Sequence, residues 1–547
     1  MKTIRDNINM VTGMVKILPF YFFTFLPLSA QTDSLLLRDY QFVKQSDPWL
    51  TQHNSAALMR FKAKNIAEAE LSLNYGGGRL TEYYGSPDML QGGAAIESFY
   101  RINQRTVVFG GISYDNWTGH DMTGSAFINP SRYPFDIVED SLTNPGRKHR
   151  DTYQLSGAFS YTVAKALAVG IRLDYTSANY AKYKDLRHKN KLMDLQLTAG
   201  VYAPVLPWLS VGADYTYHRQ TESVDFGTYG KSDKVYKSLI DYGASMGMVE
   251  QFGNEGYTDK SREMPLFEDS HGGAFQLELS PLQSLSIYGS LTASHATGYY
   301  GRKSPYTITY TNHDRDIIAV HSRLTYAPLQ CASRFSLDAS YSQEKLQNKA
   351  STFRGLTNAN GATYYEYYDP VETADKKWRE ADIRYTMYLG IQEELPTWIL
   401  TADYHWLKRD ITAYLFPYYR QQRLTSREIS ASLTRNMASQ HGVWSISVNG
   451  GFRKGSGEPY EDGTFVAPSS KQTAPATMPP FVYRDYHLLT AAQYCMGLQL
   501  KYAFLFPGTR LKPHIRAAFQ HRKANELSND FCGKDYTIGT LAIGCLF

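Results

Sequence analysis

From Ile66 onward the hydrophobic and polar positions of this chain alternate. In IAEAELSLNY (residues 66–75), Ala67, Ala69, Leu71, Leu73 and Tyr75 fall on one side and Glu68, Glu70, Ser72 and Asn74 on the other, because neighbouring side chains of an extended chain point to opposite faces. The same period of two returns at Tyr153, Leu155, Gly157, Phe159, Tyr161 and Val163, at Leu167, Val169, Ile171, Leu173 and Tyr175, and at Met193, Leu195, Leu197, Ala199 and Val201. It persists near Leu209, Ile287, Tyr385 and Leu400, and later in REISASLT, VWSISVNGGF and AAQYCMGLQLKYAF. Half-buried strands of soluble sandwiches alternate as well. Here the polar side is rich in small and charged residues and the apolar side is capped by aromatics, which predicts lipid outside and water inside.

The connections sharpen the expectation. Short ones are predicted at Asn103-Gln104, Ala164-Lys165, Pro204 to Pro207, Pro281 to Gln283, around Pro396, at Ser439 to Gly442 and at Pro507 to Thr509. Long ones are predicted over residues 117–150, 220–271, 343–377 and 455–486, in strict alternation with the short. Outer-membrane barrels have short periplasmic turns and long external loops. Trp208, Trp398 and Trp444 each follow a short turn, at the depth of an interfacial aromatic belt. The expected fold is all-β: a transmembrane antiparallel up-and-down barrel over residues 65–547, with about eighteen strands (16–18) and an even count.

Both ends of the chain have a different texture. In TIGTLAIGCLF (residues 537–547), Phe547, Cys545, Ile543 and Leu541 share one face. This resembles the closing strand of bacterial outer-membrane barrels, whose terminal aromatic is part of the insertion signal, a role the resemblance gives to Phe547. At the other end, Lys2, Arg5 and Lys16 precede the apolar run ILPFYFFTFLPL, and Ser29-Ala30 offers a cleavage site. Residues 1–30 are therefore expected to be a signal peptide, since the run is too short to span comfortably as an anchor. Residues 31–64 lack alternation and suit a short helix and turns, either a hatch within the barrel or a lead-in strap. His53-Asn54-Ser55-Ala56-Ala57-Leu58 is similar to the motif near the start of long-chain fatty-acid transporter barrels, with Ser55 in place of the family's Pro. The resemblance implies a lumenal hatch.

Composition narrows the choices. The 547 residues include 43 Tyr and 41 Gly, and the mean hydropathy of −0.41 excludes a polytopic helical protein. The net charge of +5 carries no nucleic-acid message. Cys331, Cys495, Cys532 and Cys545 lack metal-ligand spacing, and neither a metal nor a cofactor is expected. No GxSxG or HExxH pattern occurs, and adjacent pairs such as His120-Asp121 and His313-Asp314 are common in loops, so the chain is not expected to be an enzyme. An energised receptor of the TonB-dependent kind has 22 strands around a plug, and the residues before the first strand are too few to build one.

Candidate chemistry lies on the wet face, where charge is tolerated. Alternation assigns to it Glu68, Glu70, Arg101, Arg172, Asp174, Asp194, Asp214, Arg323, Asp382, Arg384, Asp403, Lys512, His514 and Arg516. The mixture of signs argues against a single-sign pore. Tyrosines gather at Tyr299-Tyr300, in YYEYYDP (residues 364–370) and in LFPYYR (residues 415–420), as outer-loop ligand contacts or as packing. Taken together, the leader, DSLLLRDY, NSAAL, the Tyr-rich hairpins and Phe547 resemble an uncharacterised family, a domain of unknown function, of large outer-membrane barrels from Bacteroidota-type bacteria.

The expected function is a porin-like channel or transporter in the bacterial outer membrane, passing small solutes passively or through a gate. The alternative is a non-conducting accessory barrel that docks a TonB-dependent transporter or surface lipoproteins. The partners implied are outer-membrane lipids, the barrel-assembly machinery at the C-terminal strand, and a small solute.

Overall fold

The computed structural model describes residues 37–139, 144–227, 238–241, 249–252, 264–474, 480–506, 508–525 and 533–547. The expected signal peptide, residues 31–36, Pro507 and Cys532 lie outside them. Eighteen antiparallel strands each pair with the next, from Asn65–Gly78 through to Asp535–Leu546, and the last pairs back onto the first. Along the closing seam Leu71 lies opposite Ile543 and Leu73 opposite Leu541. Phe547 extends the seam by one residue, its N–H donating to the Ala67 carbonyl at 2.8 Å and its carbonyl accepting from the Ala67 N–H at 2.7 Å. Short strands outside this ring are Glu461–Thr464, which pairs with the far end of Tyr418–Ala438, and a separate sheet of Asp136–Glu139, Ser238–Asp241 and Val249–Phe252.

The alternation sorts as expected. Leu71, Tyr75, Leu541 and Ile543 are at least 60% exposed on the outer surface, an apolar band that has no place in water. No described helix is long and apolar enough to cross a membrane, so the crossing is made by strands. A closed sheet with an oily exterior leaves no main-chain edge in lipid, which is the form that spans an outer membrane. Two-residue turns join Asn103 to Thr106, Ala164 to Leu167, Leu206 to Leu209, Leu282 to Leu285 and Gln392 to Leu395, marking the periplasmic end.

Three expectations about connections need correction. The turn expected around Pro396 is Glu393-Glu394, and Pro396 is already paired with Ile391; at the start of a strand its missing N–H costs little. The long loop expected over residues 343–377 is mostly strand, because Ser333–Thr357 and Thr363–Gln392 run 25 and 30 residues and stay paired past the membrane. The strict alternation of short and long also fails, since Ser304 reaches Thr307 and Leu415 reaches Tyr418 through two-residue turns at the external end. Side-chain pairs such as Phe353 opposite Tyr367 keep that ribbon zipped.

The two faces should answer oppositely to charge. Leu433 is 40% exposed on the lipid side and Ser432 faces inward opposite Asn449. Leu433→Arg should cost about 2–4 kcal/mol in reversible unfolding from lipid vesicles, whereas Ser432→Arg should cost less than about 1 kcal/mol.

Candidate functional site

Residues 37–64 pack against the inner wall at the periplasmic end. Three short helical turns, Tyr40–Gln45, Pro48–Thr51 and Ser55–Arg60, are each opened by a side chain that accepts a backbone N–H: Asp39 from Phe42, Asp47 from Trp49 and Asn54 from Ala56. Turns this short do not persist alone in water, so their order comes from the wall. The Asp39 N–H donates to the Glu394 carbonyl at 3.0 Å, and Tyr40 and Lys44 reach Glu97 at 2.9 and 2.7 Å. Trp49 is fully buried. Its ring meets Tyr202 and Tyr288 edge-on at 5.0 and 5.1 Å, and its Nε1 donates to Glu278 at 2.7 Å. Arg60 bridges Asp47 at 2.6 Å and the same Glu278 at 2.8 Å.

A glycine seat receives the middle of this segment. Gly170 lies opposite Gly200 in neighbouring strands, and Gly212 lies opposite Tyr202 in the next. A Cβ would stand 2.3 Å from the Ala56 nitrogen at Gly170, 2.2 Å from Asn54 Oδ1 at Gly200 and 2.7 Å from the Trp49 ring at Gly212. Asn54 fills the space, donating from Nδ2 to the Val201 carbonyl and to Gln276 Oε1, both at 3.0 Å. Asn54 falls in the motif whose resemblance implies a hatch, whereas Trp49 and the three glycines escaped sequence reasoning. The available signal was the inward parity of all three glycines.

The residues assigned to the wet face from alternation lie on the inner wall, spread around it and mostly held by partner side chains. Glu70 meets Arg516 at 2.5 Å and His514 at 3.3 Å, and Glu68 meets Lys501 at 3.3 Å. Arg172 and Asp174 pair at 2.6 Å, with His53 of the N-terminal segment 3.9 Å from Asp174. Asp214 accepts from Gln276 at 2.5 Å. Arg384 pairs with Asp403 at 2.5 Å and Asp382 with His405 at 2.7 Å. Asp194 pairs with His218 at 3.0 Å and Arg323 with Asp338. Arg101 instead donates to the carbonyls of Met59 and Phe61, tying the segment's exit to the wall. Lys512 is buried and lines a cleft between Leu37–Tyr40 and Lys501, His514 and Leu546.

At the external end, residues 123–139 cross the mouth around a core of Phe127, Phe135, Ile137 and Tyr300, all fully buried. Arg132 spans to Glu344 at 2.9 Å and to Glu380, with its guanidinium 4.7 Å from the centre of the Trp378 ring. Arg315 and Lys376 donate to the Arg132 and Tyr133 carbonyls at 2.9 and 2.7 Å. The helix Pro480–Thr490 closes in from the other side: Asp485 pairs with Arg409 at 2.6 Å, and Arg484 donates to the Thr81 carbonyl at 2.9 Å. Tyr83 and Ser125 both donate to Asp136, at 2.7 and 2.5 Å, so the stretch around Thr81 that holds Arg484 is also tied to residues 123–139. Of the candidate tyrosines, Tyr300 packs in this core and Tyr299 stacks on Phe267 at 5.1 Å, while Tyr364 to Tyr368 lie in a strand with Tyr367 and Tyr368 exposed.

One sector of the wall is different. A row of directly opposed inward residues runs Thr434, Ser447, Gln499, Ala518, Thr540, Asn74 and Gln91 over seven consecutive strands across the seam. Each is small or a neutral amide. Among the described residues no hydrogen bond or ion pair joins this row to residues 37–64.

A family model described as a family of unknown function, DUF6850, matches residues 55–547. No curated protein matches in sequence. Among solved structures, the outer-membrane transporter YddB from Escherichia coli is similar at 8% identity and a TM-score of 0.40, covering 89% of this chain and 81% of that one. The RagAB peptide importer gives 6% identity and a TM-score of 0.38 over 89% and 87%. The CymD monoaromatic hydrocarbon channel gives 9% and 0.30 over 94% of each chain. The barrel assignment rests on this chain's own strand order and closure.

Burial raises the Asp136 carboxyl to about 6, above its ordinary 3.8, against the pull of its two hydroxyl donors. A carboxyl that holds its proton more tightly folded than unfolded stabilises most below about pH 4. That contribution, about 3 kcal/mol at full size, is lost as pH rises through 6. Hydrogen exchange of residues 125–138 should therefore speed up between pH 4 and 7, and Asp136→Asn should flatten the dependence. Separately, Gly200→Val should expel Asn54 and expose residues 48–60 to protease, while the barrel keeps its strand content by circular dichroism.

Proposed function

The chain belongs to the DUF6850 family of unknown function, and we propose that it is a gated outer-membrane channel for small hydrophilic solutes, with residues 37–64 as its periplasmic hatch. The observation that carries this reading is the row from Thr434 to Gln91. Small neutral polar side chains form a band across this arc of the wall, with the charges nearest it, Glu70–Arg516, Glu68–Lys501 and Arg453–Glu428, already neutralised in pairs. A water-soluble molecule therefore meets hydroxyls and amides there and no unpaired charge of one sign. The N-terminal segment covers the wall on the other side through Trp49 and Asn54, and a cleft remains where Leu37–Tyr40 face Lys501 and His514. Eighteen strands are wide enough to leave an aqueous lumen when they are not filled. The paired charges around the wall would set weak selectivity and no strong preference of sign.

A second reading, a non-conducting barrel that docks a TonB-dependent transporter or surface lipoproteins, draws support from the paired strands of 25 and 30 residues that outrun the membrane. Planar-bilayer recording separates the two. The channel reading expects a small ohmic current that rises several-fold when residues 37–59 are deleted or Trp49 is replaced by Ala. Silence in all three proteins, with protein partners retained on mild purification, would favour the docking barrel instead.

A further inference from the structure

Above the apolar band, one sector of the outer surface carries cations that face each other across strands. On the outward parity, shared with Tyr341, Ile383, Ile429 and Phe452, Lys345 lies opposite Lys377, Arg379 opposite Lys408, and Arg427 opposite Lys454. Like charges directly opposed in a sheet destabilise it. Three carboxylates answer them: Asp316 lies directly opposite Lys345 in the next strand, held by His295 at 2.7 Å, Asp375 reaches Lys377 at 3.4 Å, and Asp410 lies 3.8 Å from Arg379 and 3.9 Å from Lys408. Among the described residues, no ion pair within 4.0 Å joins a carboxylate to Lys345, Arg427 or Lys454.

The six lie about a dozen residues from the periplasmic turns of their strands. With a rise of about 3.4 Å and a tilt near 40°, that sets them about 30 Å up, just beyond an apolar band about 25 Å tall. Trp406, directly opposite Arg427, places an interfacial aromatic at the level of the lowest of them. Cations held together at this level, against their own repulsion, fit a polyanion that itself sits in the membrane surface.

We infer that Lys345, Lys377, Arg379, Lys408, Arg427 and Lys454 form a docking surface for the phosphorylated headgroup of an outer-leaflet glycolipid. The anion bridges the opposed cations and turns their repulsion into a clamp, while its acyl chains lie against Ile383, Ile429 and Phe452. Lipid binding then stabilises this sector of the barrel whether or not the lumen conducts.

The test uses the full chain in a neutral detergent, titrated with diphosphorylated lipid A, with the same lipid after dephosphorylation, and with inorganic phosphate. Thermal unfolding should shift upward by several degrees with the first alone, and native mass spectrometry should show the adduct. In the triple variant Lys408→Gln, Arg427→Gln, Lys454→Gln the shift should vanish and affinity should fall at least tenfold, while the lipid-free protein melts no lower than the parent. Should the triple variant not fold, Lys454→Gln alone should weaken the adduct and the control Lys523→Gln should leave it intact. An equal shift with dephosphorylated lipid or with inorganic phosphate, or an unchanged shift in the variants, would overturn the assignment.

Discussion

In a hydrocarbon layer every peptide N–H and C=O must find its partner within the protein. The bond pair between Phe547 and Ala67, and the register of Leu71 on Ile543, bring the eighteenth strand back to the first and remove the last free edge. Once the sheet is a ring, each strand has one face in lipid and one enclosed, and the sequence must alternate to match. The lipid side then has a single requirement, to be apolar. The enclosed side is free to carry charge, glycine and hydroxyl groups.

That freedom is spent differently around the circumference. Between the second strand and the twelfth the inner wall is a binding surface for the protein's own chain. Glycines at 170, 200 and 212 make room, and Glu97, Gln276 and Glu278 supply acceptors, so three short turns hold a shape they could not hold alone. Arg132, clamped by Glu344 and Glu380, does the equivalent work at the external mouth. From the fourteenth strand across the seam to the second, the wall presents small neutral side chains in a continuous row. The N-terminal segment reaches this arc at its periplasmic foot, where Leu37–Tyr40 line a cleft with Lys501 and His514, and among the described residues it makes no hydrogen bond or ion pair to the row itself.

The barrel was legible in the sequence because lipid imposes one rule on every second residue, and Leu71, Leu155 or Ile543 obey it without reference to their neighbours. The inward placement of Glu70, Asp174, Arg384 and Arg516 followed from the same parity. Their pairings did not, since Glu70 meets Arg516 only because the ring closes. The N-terminal segment showed its foreignness as a loss of period, yet the partners of its buried middle lie more than a hundred positions away: Asn54 on Val201, Trp49 on Glu278. The reach of the external strands was hidden for a related reason. Whether residues 343–377 stay extended depends on a neighbour strand to pair with, and no local composition records that.

The ribbon formed by Ser333–Thr357 and Thr363–Gln392 carries one further implication. A strand of 30 residues has a contour of about 100 Å at about 3.3 Å per residue, so even when tilted it climbs well beyond the bilayer. The turn that joins the pair, at Asn358 and Gly361, is therefore held aloft above the cell surface. An antibody or a bacteriophage arriving from the medium would meet that tip before any other part of this sheet.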